Sequence, residues 1–143
     1  MKLLTETIRK QLLRNGVIRL ALEEKGEAEA DFIPVVKLFT PDAGCTWLLT
    51  EIDPEDQDIA FGLCDLGMGF PELGNVSLSE LESVRGKLGL PVERDLHFRP
   101  LHTISIYARA AWDNAAITER ETALRKAAEA LLTESDSGEE GVS

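Results

Sequence analysis

The 143-residue chain contains no apolar run near the ~20 residues that a membrane-spanning helix requires. Its amino-terminal stretch, MKLLTETIRKQLL, is charged and periodic, whereas a secretion signal has an unbroken apolar core that ends in small residues. A cytoplasmic location with no membrane partner is therefore expected. Cysteine is scarce. Cys45 and Cys64 are too few for the disulfide framework of a small secreted domain and match no metal-binding spacing, so both are expected as buried free thiols. The two histidines, His97 and His102, are five apart across Pro100, and neither has zinc-ligand spacing. There is no G-x-S-x-G, which excludes the nucleophile elbow of a hydrolase. No metal, cofactor or catalytic set is read from these patterns.

Positive charge is missing from the middle of the chain. Residues 31–75 hold one Lys or Arg against nine Asp and Glu, and 133–143 hold none against four, whereas the remaining segments are each within one charge of neutrality. The net charge of −11 is thus concentrated in the centre and the tail. Such a field opposes direct binding to a DNA backbone, which depends on Lys and Arg displacing counterions. It favours basic partners, cations or plain solubility.

What is present fits one globular domain: 43% apolar and 29% charged residues in a chain long enough to bury roughly 68–70% of its unfolded surface. Residues 3–25 carry Leu4, Ile8, Leu12 and Leu13 at helical spacing, and Asn15-Gly16 predicts either two short helices, 5–14 and 17–25, or one helix broken there. Strands are expected at 32–39, with Pro34 at its start, at 45–52, at 58–66 and briefly at 73–76. Ser77-Leu78-Ser79-Glu80 is a capping box for a helix from Leu78 to about Lys87. A strand at 92–98, a helix at 103–113 and a helix from the Thr118-Glu119-Arg120-Glu121 box to about Leu132 complete the domain. The acidic 133–143 tail is expected to be disordered. The fold class is α+β: a small, mainly antiparallel sheet with amino-terminal, middle and carboxy-terminal helices packed on it, a single domain over 1–132.

The strands at 45–52 and 58–66 read as a hairpin about Asp53-Pro54-Glu55-Asp56-Gln57. Setting Ile52 opposite Asp58 places Trp47, Leu49, Phe61 and Leu63 on one buried face and the acids outward, with the two sulfurs on opposite sides and no disulfide. Beyond it lies CDLGMGFPELG, residues 64–74, with two carboxylates among three glycines. Glycines at 67, 69 and 74 do not match a dinucleotide fingerprint, and the Lys and Ser or Thr of a P-loop are absent. The loop reads first as a backbone device and second as a candidate site, in which Asp65 and Glu72 could share acid–base work or a cation, with Glu51 or Asp53 nearby.

Residues 35–99, through KLFTPDAG, WLLTEIDP, DIAFGLCDLG, GFPELG and LPVERDLHF, resemble the bacterial domain-of-unknown-function family 2958. The resemblance implies that hairpin, glycine loop and LPVERDLHF form one unit. It also implies an association with plasmids and integrated mobile elements, but no activity; the first 34 residues and those after Phe98 look individual.

Two readings remain. In the first, an accessory protein of a mobile element engages a basic protein partner through Asp53, Glu55, Asp56 and Asp58. In the second, an enzyme or a ligand- or metal-binding domain uses a cleft formed by Asp65, Glu72, Trp47, Arg94 and Arg99. A basic face of Arg85, Lys87, Arg94 and Arg99 for nucleic acid is disfavoured by the surrounding charge. Oligomeric state is left open.

Overall fold

The computed structural model describes residues 3–140. Its elements are α1 (Glu6–Glu24), β1 (Val36–Phe39), β2 (Thr46–Asp53), β3 (Asp56–Asp65), β4 (Glu72–Ser77), α2 (Leu78–Ser83), β5 (Glu93–Arg94), α3 (Ile104–Asn114) and α4 (Glu121–Glu140). The five strands form one antiparallel sheet in the order β4-β3-β2-β1-β5, so the fold is α+β as the sequence predicts.

Helices cover both faces. On one, Leu12 of α1 and Leu78 and Leu81 of α2 pack with Val36, Leu38, Trp47, Leu49, Ile52 and Ala60. On the other, Ile104, Tyr107, Ala110 and Ala111 of α3 and Leu124 and Ala127 of α4 pack with Leu48 and Leu63. Consecutive residues Trp47, Leu48 and Leu49 are therefore all buried. This corrects the expected single core face: Trp47 and Leu49 belong to the α1 side, whereas Leu63 belongs to the α3–α4 side, and Phe61 alternates with Ala60 onto that same side.

The register is shifted from the expected one. Trp47 pairs with Cys64, Leu48 with Leu63 and Leu49 with Gly62; a bulge at Thr50 then sets Glu51 opposite Phe61 and Ile52 opposite Ala60. A strand apolar on both sides has no alternation to choose between adjacent registers. The thiols follow the register: both pack beside the α1-side core, half-buried and free, rather than on opposite sides. Burial, aided by Glu72, pushes the Cys64 thiol up to about 11.

Helix α1 is unbroken, and Asn15-Gly16 is the point at which it meets the sheet. The last β1–β2 pair is Val36↔Leu49, so β2 beyond Leu49 has no strand partner on that side. The buried Asn15 amide donates to Thr50 O at 2.8 Å, and a Cβ on Gly16 would lie 1.9 Å from Ile52 O. Asn therefore satisfies an orphaned carbonyl, and Gly lets helix backbone reach strand backbone.

Other elements differ in length from expectation, β1 among them, which starts at Val36 and so leaves Pro34 outside the strand. Helix α2 stops at Ser83 because residues 84–90 form a turn pinned by Asp42, whose Oδ2 accepts the Leu88 and Leu90 amides at 2.6 and 3.3 Å. Strand β5 is only two residues long because Asp95 caps the His97 amide at 2.8 Å and turns the chain. Helix α4 continues past Leu132 to Glu140, with Arg109 Nη1 on Glu134 at 2.5 Å holding its extension to α3. Residues 141–143 of the expected tail lie outside the described residues.

Candidate functional site

Beyond the end of β1, where α1 passes the β2 edge, a cleft of about 340 Å³ opens between α1, the 27–30 linker and the ends of β2, β3 and β4. Five carboxylates line it, Glu23, Glu27, Glu29, Glu51 and Asp53, with one guanidinium, Arg19, and the side chains of Phe61 and Asn75. Glu51 lies in its wall and is only 5% exposed. Arg19 bridges the rim to the wall: its Nε donates to Glu51 Oε2, and its Nη1 to Glu23 Oε1 at 2.7 Å. The Thr50 bulge makes this meeting possible, because it sets Glu51 beside Phe61, and the Thr50 hydroxyl donates to Phe61 O at 3.2 Å.

Burial raises the Glu51 pKa above the usual glutamate value, outweighing the Arg19 guanidinium, which acts the other way. The folded chain therefore binds more protons than the unfolded one between the ordinary and the raised value, and stability falls as pH rises through that window. Relative to a Glu51→Gln chain, the wild type is expected to lose stability from about pH 4.5 upward until Glu51 is ionised in the folded state. Urea denaturation of both chains at several pH values checks this, and a difference that grows in the wild type's favour over that window would contradict it.

The acids at the hairpin tip divide by role. Asp53 lines the cleft while its Oδ1 accepts the Glu55 amide at 2.9 Å. Asp56 accepts the Asp58 amide at 3.2 Å. Asp58 accepts the Ser77 and Ser79 hydroxyls at 2.6 and 2.9 Å and the Ser79 amide at 2.9 Å, bonds that hold its pKa below the usual carboxylate range. It anchors the start of α2. Glu55 stands exposed, with no side-chain partner among the described residues.

The glycine loop brings no carboxylate pair together. Asp65 is buried; its Oδ1 accepts the Gly67 amide at 2.8 Å and its Oδ2 the Ile117 amide at 2.9 Å, tying the loop to the α3–α4 connection. Gly67 and Gly69 adopt φ of 78° and 86°, which explains their residue type. Glu72 pairs with Cys64 and so points to the opposite face from Asp65. Arg94 sits in β5, on the far edge of the sheet, with its Nη1 on Leu3 O at 2.5 Å. Arg94 and Arg99 do line a shallow second cleft of about 310 Å³ with Ile8 and Phe98, but Trp47, Asp65 and Glu72 are not part of it. The five-residue cleft of the second reading is thus dispersed. Among the described residues no group of three or more His, Cys, Asp or Glu is placed to hold a metal ion, and no helix is long and apolar enough to cross a membrane.

Residues 3–118 match the family model described as "Protein of unknown function (DUF2958)". The chain belongs to the DUF2958 family. No curated protein and no solved structure matches it. The match extends beyond 35–99 to take in α1 and α3, so the flanks that look individual in the sequence are part of the DUF2958 unit. Every residue lining the acidic cleft falls within it, whereas α4 does not. Of the cleft residues, Glu51 and Asp53 are legible in the sequence as candidates, though beside the glycine loop rather than beside α1. Arg19, Glu23 and Phe61 are not, because only the bulge and the unbroken α1 bring them together.

Proposed function

We propose that this DUF2958 chain is an accessory protein that binds a basic protein partner through the acidic cleft, in the mobile-element setting that the family resemblance implies. The observation that carries this reading is the cleft itself: five carboxylates against one guanidinium, one carboxylate buried, at the open end of the sheet. Its size falls in the range that accepts a ligand or a long side chain. The exposed Glu55 and the hairpin-tip aspartates extend the same sign of charge outward, which steers a basic surface toward the cleft.

Asp58 is excluded from the test because it anchors α2. Joint replacement Glu23→Gln, Asp53→Asn and Glu55→Gln is expected to weaken capture of the partner from native cytoplasm, and affinity for an arginine-rich peptide, by about tenfold at low salt. At 0.5 M salt the difference is expected to shrink, because exposed charges are screened there. Equal binding by both chains at low salt would overturn the reading.

A further inference from the structure

Strand β4 ends the sheet, paired with β3 on one side and with no strand on the other, and the face at Gly74 is uncrowded, since a Cβ built there meets nothing within 4 Å. The opposite terminal strand, β5, is protected by being two residues long. β4, ELGNVS, has six residues, no Lys and no Pro, so the charge at Glu72 is the one residue along it of the kind that blunts an exposed edge.

Beside it lies an apolar patch. The Trp112 indole N–H donates to Pro71 O at 3.0 Å, which fixes the ring against the loop that feeds β4. Met68, Phe70, Leu73 and Trp112 are 70%, 81%, 46% and 71% exposed. Large side chains at that exposure carry between them roughly 500 Å² of apolar surface along the loop, the start of β4 and the end of α3.

We propose that β4 pairs antiparallel with β4 of a second copy of this chain, joining the two sheets edge to edge and covering the Phe70–Trp112 patch. Area and charge select a second copy. Two patches, each laid on the other copy, bury upward of about 1,000 Å², the level that a specific interface needs. Opposed residues in such a pair must share a face, so the register centred on Gly74 sets Leu73 opposite Asn75 and Glu72 opposite Val76 of the other copy. The two Glu72 carboxylates then stand four residues apart, about 14 Å, beyond the ~8 Å Debye length. Residues 66–77 carry only that one charge in a chain of −11, so like-charged copies meet where repulsion is least, and a basic partner finds little to attract it there.

Sedimentation equilibrium of the full chain from 1 to 200 µM is expected to show a dimer. Phe70→Lys with Leu73→Lys is expected to weaken it at least tenfold, while Leu101→Lys, equally exposed but outside β4 and its loop, leaves it unchanged. Amide exchange at 73–76 in the wild type should slow as concentration rises, a readout that stands even where the double variant misfolds. A wild type that is monomeric throughout, or a dimer whose 73–76 amides exchange at the monomer rate, overturns the proposal.

Discussion

Replacing Gly16 by alanine is expected to destabilise the chain by about 2–3 kcal/mol, the cost of overpacking a closed contact. The same change in an exposed helix interior stabilises by roughly 0.5–1 kcal/mol. The sign reverses because the added methyl would lie 1.9 Å from Ile52 O, 3.0 Å from its carbonyl carbon and 3.2 Å from Pro54 Cδ. These are backbone and ring atoms that no rotamer change can move. Relieving the clash lifts α1 from the sheet, which also stretches the buried Asn15 bond to Thr50 O and the Arg19 bridge to Glu51. Urea denaturation reads the effect as a lower midpoint at unchanged slope. An alanine chain as stable as the wild type would mean that α1 does not approach β2 this closely.

Asp65→Ala is expected to cost about 3 kcal/mol, since hydrogen bonds to a charged acceptor contribute roughly 1.5–3 kcal/mol each. Both carboxylate oxygens are committed, one to the Gly67 amide and one to the Ile117 amide. Removing them leaves two backbone donors unpaired at a site that is only 5% exposed. Asp65→Asn keeps one acceptor oxygen but turns an NH₂ toward the other amide, so it is expected to lose much of the same stability. If Asp65→Ala stays within about 0.5 kcal/mol of the wild type, the carboxylate is not what holds this loop, and its place in the glycine segment needs another reason.

Most local signals in the sequence are reliable here, the Asp95 turn that cuts β5 short being an exception. Ser77 caps α2, its Oγ accepting the Glu80 amide at 3.2 Å, and α3 begins directly after Thr103, close to the predicted 103–113 span. The glycine loop is the backbone device that its composition suggests. Misreadings occur where a distant partner sets the outcome. Asn15-Gly16 has the composition of a helix breaker, and only the unpaired edge of β2, thirty-five residues on, gives it another role. The hairpin register escapes because Trp47, Leu48 and Leu49 are buried on alternate faces, and because Thr50 bulges. The site shares that fate. Asp53 and Glu51 are both legible as carboxylates near the candidate loop, but the Arg19 partner of Glu51 belongs to a helix that the sequence divides in two.

Helix α1 does the work of a missing strand along the last residues of β2, yet it is held there by side chains and one close approach rather than by a ladder. Any detachment of α1 as a unit would also uncover the core that it covers, Leu12 included. That single event carries Arg19 and Glu23 away together, uncovers Glu51 to water and frees the Thr50 carbonyl. The shape of the cleft thus depends on the seating of α1: a partner that grips the acids with α1 seated would clamp the helix in place, and one that needs Glu51 bare would have to pull it off.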